Sequence, residues 1–399
     1  LFSRKRAKQH IMHHITSNKE TARPLTNVAS VTTSSNETSD MSFSQTQART
    51  KPLRILMVTG IYPTPPKPHA GTFIQSQVES LVDAGLQVEI IHPKPGPVPY
   101  RYASAAIQVF HKTLNGRFDI VHGHYGLWCL AGRLQWKTPV VTSFLGSDLL
   151  GDRIEHSAND KKTRLVIHIS RWLCQRVDAV IVKSEGMKQA AHFNNAFVIP
   201  NGVDFSLFHP IPRADARAAL GWHNSRYYVL FGNNPNIPRK NFALAQAAIE
   251  RLQAKGLDVT LVVATGLPQT QVMQCINASN ALALPSLIEG SPNIVKETMA
   301  CNVPVVATDV GDVRQVIGHT NGCAVCPPDP TAFASALEQA ILRTEPTTGR
   351  RDISHLDRIV VAQQVIAVYE HAIHNHSYHW KHGNHSDHVG WRPQGSPLQ

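Results

Sequence analysis

From Leu53 onward, short apolar runs rich in β-branched residues alternate with longer segments whose apolar positions recur at helical spacing. Continuous apolar runs suit strands buried on both faces, and consecutive parallel strands need a crossover segment between them. The pattern predicts strands at Arg54–Gly60, Val88–His92, Asp119–His122, Pro139–Gly146, Ala179–Ser184 and Phe197–Pro200, with helices between them such as Phe73–Ala84 and Asp160–Arg176. A second round is expected at Tyr227–Gly232, Val259–Ala264, Ala281–Pro285, Pro304–Thr308 and Cys323–Val325. The polar, proline-containing stretch Asn201–Pro212 separates the two rounds and is the expected hinge. The chain thus reads as α/β, with an N-terminal domain at 51–205, a C-terminal domain at 206–372, and extensions at 1–50 and 373–399. Its 399 residues exceed what one core usually organises. Open parallel sheets bind ligands outside the carboxyl ends of their strands, so two facing sheets should place chemistry in the cleft between them.

Residues 1–50 show no sustained apolar periodicity. Residues 1–50 are rich in Ser, Thr, Asn and Gln behind a basic start at Arg4–Lys8, and disorder is expected there. Met41 is a candidate true start; a mitochondrial-type presequence fits less well, because Glu20, Glu37 and Asp40 intrude. The far end carries His374, His376, His379, His382 and His385. A transition metal could bind such a run, but with no Cys or carboxylate framework the expected reading is a solvated tail.

Composition narrows the class. A hydrophobic share of 42% and a charged share of 17%, with no apolar run of membrane-spanning length, fit a globular protein. The six cysteines lie mostly in apolar runs, which favours reduced thiols and a cytoplasmic setting, and the lone CxxC of Cys323 and Cys326 reads as strand thiols. A formal charge of +11 suits nucleic acid, an anionic lipid surface or a phosphorylated substrate. Nucleic acid is the poorest fit, since basic positions are not interleaved with aromatics and no binding module is recognisable.

The run from Leu284 to Glu297 follows a predicted strand and opens a helix. Ser291 is a suitable N-cap and Pro292 a suitable first helical residue, which would leave the amides of Asn293 and Ile294 free at the positive helix end. Gly290 lets backbone approach a ligand, Glu289 can accept from sugar hydroxyls, and Glu297 can reach toward a ribose. Spacing alone leaves open a merely well-capped helix with solvated glutamates.

The same segment resembles the E-x7-E signature of retaining glycosyltransferases of the GT4 family, and the continuation Glu297–Asp312 is similar as well. The resemblance covers roughly Leu53 to Leu342 and implies the GT-B fold, two Rossmann-like domains with a cleft between them. It implies a sugar contact for Glu289, a ribose contact for Glu297, and a nucleotide-diphosphate sugar as substrate with no metal cofactor. A second basic loop, Phe231–Phe242, resembles the family's phosphate loop with Lys240 at the lysine; many relatives carry arginine where this chain has Asn233, and Arg239 is the expected substitute. Cations at a strand end can neutralise a diphosphate and the leaving nucleotide.

On the first domain, His122 and His124 should share one strand face. A metal site lacks a third ligand at short spacing, and the resemblance implies that His124 lines the active site while His122 is structural. The loop at Gly71 resembles a glycine-containing loop that approaches donor phosphate or acceptor. Asp148, in a G-S-D run similar to the family's, either binds acceptor hydroxyls or caps the next turn.

The expected function is sugar transfer from a nucleotide-diphosphate donor to a hydroxyl, with retention, in polysaccharide, glycolipid or other cell-envelope glycan synthesis. Expected partners are that donor, a saccharide or lipid-linked acceptor, and peripheral contact with an anionic inner membrane face. Rival readings are a catalytically silent sugar-nucleotide-binding protein and a sugar-nucleotide epimerase or hydrolase of the same fold.

Overall fold

The computed structural model describes residues 51–65, 67, 69–93, 96–151 and 160–382; the extension expected at 1–50 and most of the histidine-rich tail lie outside them. The first half runs β1 (Arg54–Thr59), α1 (Thr72–Asp83), β2 (Gln87–Ile91), α2 (Val98–Leu114), β3 (Ile120–His124), α3 (Gly126–Arg133), β4 (Val140–Ser143), α4 (Ser147–Leu150), α5 (Asp160–Cys174), β5 (Ala179–Val182), α6 (Glu185–Ala191) and β6 (Phe197–Val198). The second runs α7 (Arg213–Leu220), β7 (Tyr227–Phe231), α8 (Phe242–Ala254), β8 (Val259–Val263), α9 (Gln269–Ala278), β9 (Ala281–Leu284), α10 (Asn293–Ala300), β10 (Val305–Ala307), α11 (Val313–Ile317), β11 (Ala324–Val325), α12 (Pro330–Ile341) and α13 (Gly349–Asp352). A last helix, α14 (Arg358–His382), closes the described chain.

Every ladder is parallel. The first sheet has the order β2-β1-β3-β4-β5-β6 and the second β11-β10-β9-β7-β8. The strand order therefore reverses between β1 and β3, and between β7 and β9, opening a crevice at the carboxyl ends of each pair. Both faces of each sheet are covered, which is why the strands read as continuous apolar runs rather than alternating ones. In the first sheet Ile55 and Met57 face α1 and α14, while Leu56 and Val58 pack with residues of α2 and α3.

The second half does not keep its own C-terminal helix. The chain crosses at Gly202–Val203 and returns at Leu356–Arg358, where Val203 N donates to Leu356 O at 2.9 Å and Arg358 N to Val203 O at 2.9 Å. The two crossings touch so closely that a Cβ on Gly202 would stand 2.6 Å from Arg358 Cα. Arg358 then ties the hinge to α1 through Asp204 at 3.4 Å and Asp83 at 3.2 Å. α14 lays Val361, Val365, Val368, Tyr369 and Ala372 into the core of the first half. The domain limit expected at 372 thus falls inside a helix belonging to the first sheet, and the expected tail begins as helix up to His382. Apolar residues on its outer side, Ile359 and Val360, blur the one-sided stripe by which such a helix is recognised. Among the described residues no helix is long and apolar enough to cross a membrane, and all six cysteines are free.

Candidate active site

Where the two sheets face each other, a cleft of about 370 Å³ is lined by Gly232, Asn233 and Lys240 after β7, Ala264–Leu267 after β8, and Glu289, Ser291–Ile294 and Glu297 after β9. The first half contributes His69, Thr72, Phe73 and Leu145. This size suits a small organic ligand.

Glu289 is the centre of the charged wall. Its Oε1 accepts from Lys240 Nζ at 2.5 Å and from Ser286 Oγ at 2.7 Å, and its Oε2 lies 3.5 Å from Arg239 Nη1. The loops carrying these groups are stitched together: Leu287 N donates to Arg239 O at 2.8 Å, and Thr308 Oγ1 donates to Ser286 O. Burial lowers the Lys240 pKa, and the Glu289 carboxylate opposes that shift. The structure thus brings together Lys240, Arg239 and Glu289, which are far apart in sequence.

α10 begins one residue later than expected. Pro292 is its N-cap, without a side-chain cap bond, and Val295 N is the first amide to find a backbone acceptor, Pro292 O at 3.2 Å. The amides of Asn293 and Ile294 therefore stand at the open helix end, lining the cleft. Ser291, expected to cap, is engaged elsewhere: it donates to Asp312 Oδ2 at 2.6 Å and accepts from Lys296 Nζ at 2.7 Å. Lys296 also donates to Asn201 O in the hinge at 3.0 Å, and Asn201 Nδ2 donates to Asn293 Oδ1 at 3.2 Å. The helix start is hence braced against the crossing between the halves. Glu297 lines the cleft, and burial pushes its pKa up to about 7 against the opposing pull of Lys296.

Gly290 sits where loops of the two halves approach each other. It does not line the cleft; a Cβ there would stand 3.0 Å from Met187 Sδ, 3.1 Å from Leu145 O and 3.3 Å from Gly146 Cα. A side chain there would have to push its neighbours aside by a few tenths of an ångström, because loops from the two halves meet at it. Gly71 has φ 76 and N-caps α1; its neighbours Thr72 and Phe73 line the cleft, while Gly71 itself turns the chain beneath Ile61.

His122 and His124 share a face, as expected, with ring centroids 4.4 Å apart. His122 is fully used: Nδ1 meets the Tyr369 hydroxyl at 2.7 Å and Nε2 the Ser143 hydroxyl at 2.8 Å, and burial holds its pKa down at about 3. His124 is 1% exposed and neither ring nitrogen has a hydrogen-bond partner. It does not line the open cleft. Beside it Tyr125 has φ 75, a strained value for a bulky residue of the kind found where backbone is forced around a site. Asp148 departs from the acceptor-binding alternative. Fully buried, it accepts from the amides of Gly126 at 3.2 Å, Leu145 at 3.1 Å and Gly146 at 2.8 Å, so it holds the loops after β3 and β4 together.

Four residues escaped the sequence reading as participants. Lys296 and Asp312 are buried polar partners of Ser291, and Asn233 places an unpartnered Nδ2 at the cleft wall. Lys183, at the end of β5, is 2% exposed beside His122 and His124, with its pKa pulled down to about 7 by burial and by Lys296. A lysine inside an apolar strand run, as in Ile181-Val182-Lys183, was the available signal for the last. Among the described residues no three His, Cys, Asp or Glu side chains gather into a metal-binding group.

Comparison with known proteins identifies the family to which this fold belongs. The profile described as Glycosyltransferase Family 4 matches residues 58–207, and that described as Glycosyl transferases group 1 matches 218–343. TuaC of Bacillus subtilis, whose name places it in teichuronic acid biosynthesis, is 24% identical, covering 73% of this chain and 89% of its own. A D-inositol 3-phosphate glycosyltransferase of Nocardioides is 27% identical over 67% of this chain and 71% of its own. Among solved structures, sucrose-phosphate synthase of Thermosynechococcus elongatus superposes with TM-score 0.66 at 20% identity, covering 80% of this chain and 98% of that one. HepE of Anabaena, in complex with UDP-glucose, superposes with TM-score 0.59 at 17% identity, covering 80% and 99%. The two profiles between them span both sheets, and the chain belongs to glycosyltransferase family 4: it is a glycosyltransferase of the GT-B fold.

Proposed function

We propose that the protein transfers a sugar, with retention at the anomeric carbon, from a nucleotide-diphosphate donor to a hydroxyl of a saccharide or lipid-linked acceptor in cell-envelope glycan synthesis. The observation that carries this reading is the convergence on one cleft of Lys240, Glu289, the open end of α10 and Glu297. A diphosphate between Lys240 and the amides of Asn293 and Ile294 meets a side-chain cation and a positive helix end together. Its ribose then falls toward Glu297, one helical turn further along, and its sugar toward Glu289. The complexes of HepE with UDP and with UDP-glucose support a nucleotide sugar as donor, and TuaC supports an envelope polysaccharide as product.

The chemistry follows from where charge develops. As the glycosidic bond lengthens, negative charge grows on the leaving diphosphate, and Lys240, Arg239 and the α10 amides stabilise it, each by about 3–4 kcal/mol in a site closed to water. The leaving phosphate accepts the acceptor's proton on the same sugar face, so retention needs no second carboxylate. Glu289, held by Ser286 and Lys240, orients the sugar hydroxyls. His124, kept neutral by burial, with His122 and Lys183 lowering its pKa further, offers its unpartnered nitrogens to the sugar or acceptor once the cleft rearranges around ligand. Lys240 and Arg239 take the charge-neutralising part that a metal plays elsewhere, so the reaction is proposed to run without one. The acceptor is expected at an anionic inner membrane face, where the net charge of +11 favours peripheral contact.

The test is release of nucleoside diphosphate from a panel of UDP, GDP and ADP sugars, with and without acceptor. Acceptor-dependent release supports transfer. Release without acceptor means hydrolysis, and binding without release means a silent protein; either outcome overturns the reading.

A further inference from the structure

The outward face of α5 has a composition that the catalytic fold does not require. Residues 161–176 hold five cations, Lys161, Lys162, Arg164, Arg171 and Arg176, and no Asp or Glu. Lys161, Arg164, Leu165, His168 and Trp172 are all exposed and recur at helical spacing, so they form one stripe. Within it Leu165 is 60% and Trp172 46% exposed.

The stripe continues onto the end of α3. Arg176 lies over the Trp172 ring at 5.4 Å, and its carbonyl accepts from Arg133 Nε at 2.6 Å. Arg133 leads into Leu134 and Trp136, 57% and 56% exposed, with Trp136 set beside Phe110 of α2 at 6.3 Å between ring centroids, followed by Lys137. Leu165 and Trp172, exposed on a stripe whose charged neighbours within 161–176 are all cations, make poor general surface. Apolar groups of this size normally cost solubility, and their clustering marks a place that something covers.

The geometry points to this α5–α3 face as the surface by which the protein lies on an anionic lipid bilayer. This rests on the proposed membrane-side acceptor and specifies which surface makes the contact. A helix with basic residues and Trp and Leu on one face settles in the plane of the headgroups, its aromatic rings at the interface and its cations on lipid phosphates. A second copy of the chain fits badly, because two such faces would bring like charges together. α5 precedes β5 in a parallel sheet and runs antiparallel to it, over about 22 Å for its 15 residues, starting at the sheet edge that bears the cleft. A helix lying flat on the bilayer would therefore keep that edge near the membrane surface.

The test is co-sedimentation of the full chain with vesicles of equal phosphatidylglycerol and phosphatidylcholine, against phosphatidylcholine alone. Wild type should sediment with the anionic vesicles and be released by about 0.5 M salt, where screening reaches only a few ångströms. Lys161→Glu/Lys162→Glu should lower the partition coefficient by about fivefold or more per site. Leu165→Ser/Trp172→Ser should lower it with the charge unchanged. A control of equal charge change on the second half, Arg226→Glu/Lys255→Glu, should retain binding. Equal loss in control and stripe variants would show attraction by net charge alone and overturn the assignment, as would wild-type binding indifferent to anionic lipid. If wild type binds no vesicle, the membrane-side acceptor falls with it, while nucleotide release from the sugar-donor panel still judges the transferase reading separately.

Discussion

Replacing Lys240 by Ala should cost catalysis far more than stability. In the unliganded protein Lys240 is the strongest partner of Glu289, with side chains only 12% and 8% exposed. Removing one partner of a buried pair costs about 3–5 kcal/mol when the remaining charge is stranded. Here it is not stranded: Ser286 still donates at 2.7 Å and Arg239 stands 3.5 Å away, so a loss of about 1–2 kcal/mol is expected. On the reaction path the same ammonium faces the leaving diphosphate, and loss of one such group costs about 100- to 1,000-fold in kcat. Nucleoside diphosphate release should fall by that factor while denaturant unfolding shifts only slightly. The cycle Lys240→Ala, Glu289→Ala and the double variant separates two roles. If Lys240 merely positions Glu289, the double variant matches Glu289→Ala; if it contacts phosphate, the double variant binds nucleoside diphosphate more weakly still. A Lys240→Ala protein within threefold of wild-type kcat/KM would refute the assignment.

Other consequences follow from the same geometry. Glu297 has its pKa raised to about 7, so it accepts a ribose hydroxyl bond as carboxylate only above that pH; nucleotide affinity should drop about tenfold from pH 8 to pH 6, and Glu297→Gln should flatten the profile, both by calorimetric titration. The same raised value makes Glu297 a source of stability below the ordinary carboxylate range that is lost as pH climbs to about 7, so Glu297→Gln should be relatively more stable at pH 8 than at pH 5. Gly290→Ala should lower kcat while sparing nucleotide binding, because its Cβ meets Leu145 O and Gly146 Cα of the opposite half at 3.1 and 3.3 Å and forces the meeting loops apart; unchanged turnover would show that the contact is dispensable. Tyr369→Phe leaves His122 Nδ1 without its partner in a dry core and should cost about 1–3 kcal/mol by denaturant unfolding, and an unchanged midpoint would mean that water replaces the hydroxyl.

Much of the architecture was legible because buried parallel strands leave a mark that survives without coordinates: residues 55–58 of β1, Ala179–Val182 and Ala281–Leu284 are apolar on both faces since both are covered. The signature at Glu289 and Glu297 was legible because a strand, a tight loop and a helix start impose local residue choices. Even so, local rules misassigned Ser291: its capping propensity lost to Asp312 and Lys296, which lie next to it only after folding. Asp148 was open between two roles until three amides from two loops were seen to converge on it. α14 was concealed for a related reason, since its buried stripe matches a face of the first sheet that lies some 150 residues or more earlier in the chain.

The amino-acid order by itself determined the strand and helix periodicity, the two rounds of it, and the short motifs whose spacing is fixed by a single turn or helix. Tertiary structure alone decided that Lys240 meets Glu289, that Gly290 packs against loops of the other half, and that the last helix crosses back over the hinge. Local rules see only neighbours along the chain, whereas charge pairing, burial and pKa depend on distance in space, and that distance is set when apolar faces far apart in sequence bury one another.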